Sequence, residues 1–508
     1  LKIEKDALLF QFSIFNFQFR DNRSHLQLLD LLIIAAYLVA VIAAGAWFGR
    51  RQSSTAQYFL AGQNVPWWAI SASIVATETS TITFISVPGL AYARGGNFTF
   101  LQLVFGYLLG RVVISLVFMP AYFKGSLVTV YELLNERFGA KVKALAASLF
   151  VMMRTIADGI RLLLTAIVLG AVYRAFSPTA NIAQVIDLSV IIIGLVMIVF
   201  TFYGGMEAVV WIEVAQLGIY IAGALGAAIV IAQKIPGGFS AAIAVGSAMH
   251  KFQVLDFTLD FTRSYVFWSG VIGGCFLTMS THGTDQYLVQ RYLCTNSPRQ
   301  AAKALLASGA VVLAQFIGFL FIGVLLFAFY RPDINGYMPS DQVFPDFITR
   351  NLPTGLSGLV VAAIFAAAMS SSLNSIAATF VADLYSPVVR NRGDKHYLKV
   401  SHVVTIVAGI AQIGVGLLMH GQKRSALDAA LAVASLINGP ILGVFMLGAF
   451  KRGGPVSAFA GMSAGIIVVM TVWLGTHIAW PWYTVIGSLT TLAIGSALSA
   501  ARTLEHPA

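Results

Sequence analysis

Apolar residues dominate the chain in thirteen long stretches, separated by short polar or basic turns. A hydrocarbon core about 30 Å thick is crossed by roughly 20 apolar helical residues. Helices satisfy their own backbone polar groups in lipid, and an open structure cannot. The pattern therefore predicts an all-α, polytopic membrane protein with about 13 transmembrane helices. The expected spans are 28–49, 67–93, 98–123, 142–173, 184–203, 208–233, 264–290, 301–330, 354–380, 399–420, 427–449, 456–475 and 481–500. Residues 1–27 are Phe-rich and irregularly charged, and form a short extracytoplasmic lead. They lack the layout of a signal peptide.

Loop charge sets the expected orientation. Arg50, Arg51, Lys124, Arg137, Lys141, Lys143, Arg291, Arg299, Lys303, Arg390, Arg392, Lys395, Lys399, Lys451, Arg452 and Arg502 gather in alternate loops. Positive loops stay in the cytoplasm. The N-terminus is then outside and the C-terminus inside, with loops 234–263 and 331–353 outside; Lys423 and Arg424 run against the bias. The chain is 58% hydrophobic and 10% charged, with a net charge of +11. That charge lies beside membrane helices, so it points to lipid and not to nucleic acid. Cys275 and Cys294 have neither metal-ligand spacing nor a disulfide framework.

Function is read from what interrupts the apolar helices. The second span carries Ser71, Ser73, Thr77, Thr79, Ser80, Thr81 and Thr83 around Glu78. Hydroxyls bond back to their own helix, but a carboxylate at mid-membrane costs several kcal/mol unless paired, protonated or hydrated. Helices broken near the midplane expose carbonyls that hold a cation. The ninth span carries Ser370, Ser371, Ser372, Asn374 and Ser375 after a run of alanines. This is either a close-packing face or a set of hard oxygen ligands suited to sodium. Asp383, near its inner end, reads as a cap or ion-pair partner.

Gly204-Gly205 predicts a tight inner turn, with Glu207 in the first turn of the next helix and Glu213 and Gln216 deeper. Glu213 is either a functional acid or half of a salt bridge. In the fourth span, Arg154, Asp158 and Arg161 share one helical face. They leave one surplus positive charge for Glu78, Glu213 or an anionic solute. Arg111 snorkels or pairs. Asp285 and Gln286, close to the inner side, read as a gate or cap. No phosphate-binding glycine–lysine motif, voltage-sensor ladder, zinc motif or nucleophile–base pair appears. An ATP-driven pump, a channel and an enzyme are thereby disfavoured.

The chain resembles the sodium/solute symporter family, over residues 28–500. The resemblance rests on Arg51-Gln52 through Ala61, Trp67 through Thr83, Tyr131-Glu132 to Phe138, and Tyr203-Gly-Gly-Met-Glu207. Trp211 to Gln216, Asp285 to Arg291 and Ala-Met-Ser-Ser to Asn374-Ser375 complete it. Its layout is most similar to the bacterial sialic-acid transporters, with further likeness to galactose and proline transporters. The resemblance implies an inverted five-helix repeat fold. An extra helix at 28–50 would precede repeats at 66–234 and 264–450, and two helices at 455–501 would follow. It further implies sodium-coupled import of a small polar organic solute, a carboxylate or zwitterion, by alternating access. The implied setting is a bacterial-type inner membrane, with a working monomer and one or two Na+ ions. A sodium- or proton-coupled symporter of a neutral sugar or amino acid is the alternative.

By the same resemblance, the main sodium site would take carbonyls of Ala76, Thr79 and Ala367 and hydroxyls of Ser370 and Ser371. A second would take Ser371, Ser372 and Glu213. The family's longer serine motif is about three residues shorter here. Anchoring on Asn374 instead would place Ala367 and Ala368 at the hydroxyl positions. Three residues are close to one helical turn, so the first register keeps Ser370 and Ser371 facing inward. For the solute, Glu78, Ser80, Thr83, Phe100, Gln102, Arg154, Asp158 and Arg161 are the candidates. The match to the sialic-acid pocket is incomplete: its glutamine falls on Val104 and its arginine on Ala157.

Overall fold

The computed structural model describes residues 28–49, 54–79, 81–125, 127–176, 181–338, 340–369, 372–420 and 426–505. The protein is all-α among these residues and follows the apolar pattern closely. Its main helices are α1 Leu28–Gly49, α2 Trp67–Glu78, α3 Thr81–Tyr92, α4 Leu101–Val113, α5 Ala140–Phe176 and α6 Ile182–Lys234. Then come α7 Gly238–Ala248, α8 Gly274–Gly283, α9 Gln286–Leu293, α10 Pro298–Tyr330 and α11 Ser340–Asn351. Next are α12 Leu356–Met369, α13 Leu373–Thr379, α14 Asp394–Met419, α15 Ala426–Ala449, α16 Pro455–Gly475 and α17 Pro481–Glu505.

Among the described residues, 7 helices are each long and apolar enough to cross a membrane; α2 and α3 together, bent by 63°, form an eighth such span. Leucine, isoleucine and valine side chains such as Leu116, Leu188 and Leu195 remain exposed on the outer surface. In a bilayer protein those side chains meet lipid, so their exposure carries no cost.

Glycine shapes α6. The helix runs continuously by its hydrogen bonding, yet Gly205 adopts φ 55, ψ −158. A side chain would be strained there. The turn expected at Gly204-Gly205 is thus a sharp bend that separates an arm at 182–204 from one at 206–234. Two helices arise where loops were expected on the outer side: α7, and α11 with Pro345 in its interior. The lead at 1–27 lies outside the described residues.

Among the described residues, two breaks between consecutive helices concern the site. The first separates α2 from α3, where Thr79 has φ −76, ψ 89. The second separates α8 from α9, where Asp285 has φ −90, ψ 120 and its side chain accepts a hydrogen bond from the Tyr287 amide. Helix α12 ends at Met369 and α13 begins at Leu373; residues 370 and 371 lie outside the described residues.

Candidate functional site

Glu78 ends α2 at the first interruption. Arg111 of α4 donates from Nη2 to both carboxylate oxygens at 2.5 Å. Nε2 of His282, on α8, lies 2.6 Å from Glu78 Oε1. The Arg111 side chain is 1% exposed and that of Glu78 17%. The guanidinium is thus almost fully enclosed, while the carboxylate keeps a small exposed area. Removing one partner of such a buried pair typically costs about 3–5 kcal/mol.

Glu213 anchors the second cluster. Arg291 of α9 reaches its Oε1 from Nη2 at 2.5 Å and its Oε2 from Nε at 3.2 Å. Thr77 donates to Oε1 at 3.1 Å, and Ser73 also donates to the carboxylate. Both side chains are almost fully buried. The seam thus joins α2, α6 and α9. The polar face of α2 splits between the two clusters: Ser73 and Thr77 serve Glu213, while Glu78 turns to Arg111.

The arginines of α5 do not form a free positive face. Arg154 pairs with Asp285 at 3.4 Å, and Arg161 with Asp158 at 3.6 Å. The ring of Tyr287 lies among three guanidiniums, with Arg154 at 4.1 Å, Arg291 at 4.6 Å and Arg161 at 6.0 Å from its centroid. Cation–π attraction explains the crowding of like charges. Arg111, Arg154, Arg161 and Arg291 are therefore each matched by one carboxylate.

The candidate cation ligands divide. Ala76 and Thr79 sit at the end of α2, both buried. The Thr79 hydroxyl donates to the Val75 carbonyl at 2.8 Å and accepts from Gln315 Nε2 of α10 at 2.7 Å. Ala367 lies in the last turn of α12. Ser372 is buried between α12 and α13, where Gln412 Nε2 of α14 approaches its hydroxyl at 3.5 Å. Ser370 and Ser371 lie outside the described residues, as does Ser80.

Of the remaining solute candidates, Thr83 is half-buried on α3. Phe100 packs against Tyr265 at 5.3 Å and Phe316 at 5.0 Å. Gln102 is fully buried and binds backbone: it donates to the carbonyls of Thr99 and Tyr265 and accepts from the Asp256 amide. It fastens the loop that carries Asp256 and Tyr265, and its amide is consumed in doing so.

His282, Gln315 and Tyr287 were not singled out from the sequence. Gln315, deep within apolar α10, is an intramembrane polar residue, and that signal was readable. The histidine gave no such signal, because it is followed by glycine, threonine and aspartate at a helix end.

The profile of the Sodium:solute symporter family matches residues 58–465. The chain is 32% identical over 479 residues to the sodium/sialic acid symporter NanT of Aliivibrio fischeri, covering 92% of each chain. It is 31% identical to the sodium/sialic acid symporter SiaT of Proteus mirabilis, over 92% of this chain and 94% of that one. A solved substrate-bound, outward-open Na+-coupled sialic acid symporter superimposes with a TM-score of 0.84 at 30% identity. That superposition covers 94% of this chain and 98% of the other. A nucleobase-cation-symport-1 transporter shares the fold at a TM-score of 0.56 and 15% identity. With a family match over residues 58–465 around helices broken at buried charges, this chain belongs to the sodium:solute symporter family and is a sodium-coupled secondary active transporter of a small polar solute.

Proposed function

We propose that the protein imports a small polar organic solute bearing a carboxylate or a zwitterionic group, of the sialic-acid kind named for its relatives. Inward sodium movement drives the uptake. The setting is a bacterial-type cytoplasmic membrane, crossed about thirteen times by a monomer, with the N-terminus outside and the C-terminus inside. Repeats at 66–234 and 264–450 follow the helix at 28–50 and precede the pair at 455–501. In this reading each repeat opens with a broken helix, α2/α3 in the first and α8/α9 in the second, as an inverted repeat requires.

The observation that carries the reading is Glu78 at the bend between α2 and α3. Arg111 and His282 hold its carboxylate there, and its side chain keeps 17% exposure. Glu78 then receives the solute's ammonium or hydroxyl groups. Ser80, Thr83 and Phe100 complete the solute set in this reading, and the Arg154–Asp158–Arg161 face takes the carboxylate in exchange for its internal ion pairs. Sodium sits beside it on the carbonyls of Ala76, Thr79 and Ala367 and the hydroxyls of Ser370 and Ser371. A second ion would use Ser371, Ser372 and Glu213. The one-to-one pairing of the arginines favours a second reading, a neutral sugar bound through hydroxyls alone.

Uptake of externally added candidate solutes into proteoliposomes, with and without an inward sodium gradient, tests the proposal; identical uptake under both conditions would make the protein a facilitator. Uptake driven by a pH gradient in sodium-free buffer would point to protons as the coupling ion. Removing a hydroxyl from a dehydrated ion site leaves its neighbours unsatisfied. S370A and S371A should therefore raise the half-saturating sodium concentration. Unchanged sodium dependence in both would favour the register anchored on Asn374.

A further inference from the structure

Helix α1 precedes the first repeat and carries one charge inside its apolar run, Asp30. The residue is completely buried. Its Oδ1 accepts hydrogen bonds from the Gly355 amide at 2.8 Å and the Gly358 amide at 2.7 Å. These amides lie at the start of α12, where backbone N–H groups have no intrahelical partner. A carboxylate is favoured at that end by the helix dipole as well as by the bonds. Asp30 is thus an N-terminal cap supplied by another helix. The fit is close: a Cβ on Gly358 would lie 2.6 Å from the Asp30 Cα. Only glycine permits the approach.

The same helix also bonds to α6. Tyr37, on α1, accepts a hydrogen bond from Gln216 Nε2 of α6 at 3.1 Å. Gln216 lies three residues beyond Glu213, whose carboxylate holds Ser73 and Thr77 of α2. One helix therefore bonds to α12, which carries Ala367 in its last turn, and to α6, whose Glu213 holds Ser73 and Thr77 of α2, the helix that carries Ala76 and Thr79. Cation geometry shared between α2 and α12 depends on the spacing of those two helices.

Resting on the cation site proposed above, we propose that Asp30 is a positioning residue for sodium. It holds the outer end of α12 in register with α2, and its loss weakens sodium binding without touching the ion. The test is thermal unfolding of the full-length protein across a sodium chloride titration, with choline chloride keeping ionic strength constant. Asp30→Ala should raise the half-saturating sodium concentration about fivefold or more, since two charge-assisted bonds are lost. Asp30→Asn keeps a neutral acceptor and should fall between. Leu31→Ala, on the exposed face of α1, should match the wild type.

A lower melting temperature in D30A with the wild-type sodium midpoint would make Asp30 a purely structural cap and overturn the inference. If D30A is not recovered folded, D30N and Gly358→Ala carry the test by the same criterion. S370A and S371A, titrated in parallel, separate the two ideas. If they shift the midpoint and the Asp30 variants do not, Asp30 has no role in sodium binding. If only the Asp30 variants shift it, the restraint stands and the sodium ligands lie elsewhere.

Discussion

Glu213 and Arg291 stand 78 positions apart and meet inside the bundle. Glu213 was legible in the sequence as an acid too deep to be idle. Its partner was not, because nothing local in Gln290-Arg291-Tyr292 reveals which helix the guanidinium faces. The same holds for Glu78, whose need for compensation was readable but whose choice of Arg111 and His282 depends on helix packing. If the Glu213 pair is chiefly a seam, Glu213→Gln alone should lower stability by about 3–5 kcal/mol, leaving Arg291 buried and unpaired. The double change with Arg291→Met should recover much of that loss in thermal unfolding. A double variant that unfolds as early as the single ones and also loses sodium dependence would return Glu213 to the ion. Outside the spans, Glu132 is raised to about 7, chiefly by burial and then by Asp383, against the lowering effect of Lys143. An acid whose folded value lies above its ordinary 4.5 favours the fold in its protonated form. That contribution is complete below about 4.5 and is lost as pH rises through about 7. Glu132→Gln should flatten the stability profile across that window, and an unchanged profile would remove Glu132 as its source.

At the scale of elements, hydrophobic length located the main helices because lipid allows few alternatives to a helix. The bends were legible only where composition forced them. Gly205 announced its turn, and its φ of 55 with ψ of −158 explains why glycine stands there. Gly205→Ala should cost about 1–3 kcal/mol through backbone strain alone. The check is the yield and melting temperature of the folded protein; a variant as stable as the wild type would mean that the bend relaxes freely. Helix α11 escaped the reading because Pro345 argues against a helix interior. The helix carries it beside Phe344 and Phe347, both buried against the core. Tertiary burial outweighs the lost backbone bond. Helix α7 is apolar but short, so its composition alone did not separate it from a buried loop. Asp30 was visible in the first span, yet its partners are backbone amides, which have no signature in sequence.

For the whole molecule, the alternation of basic loops argued for an orientation, and broken helices argued for transport, but coupling is a property of the assembly. Glu78 and Thr79 are consecutive residues, one proposed for the solute and the other for sodium. Arg111, His282 and Gln315 hold them from α4, α8 and α10. Two ligands that order the same interruption must influence each other, and thermodynamic linkage makes the influence reciprocal. Sodium should therefore tighten solute binding to the detergent-solubilised protein by about 5- to 150-fold, and the solute should tighten sodium binding by the same factor. The solute is first found by thermal stabilisation in sodium buffer, screening carboxylates, amino acids and neutral hexoses together. Stabilisation by hexoses alone would remove the charged-solute proposal and leave the neutral-sugar reading. Calorimetry of the selected solute in sodium and in choline buffers then gives both factors. Equal solute affinity in the two buffers would separate the ion from the solute site and sink the shared interruption as the seat of coupling.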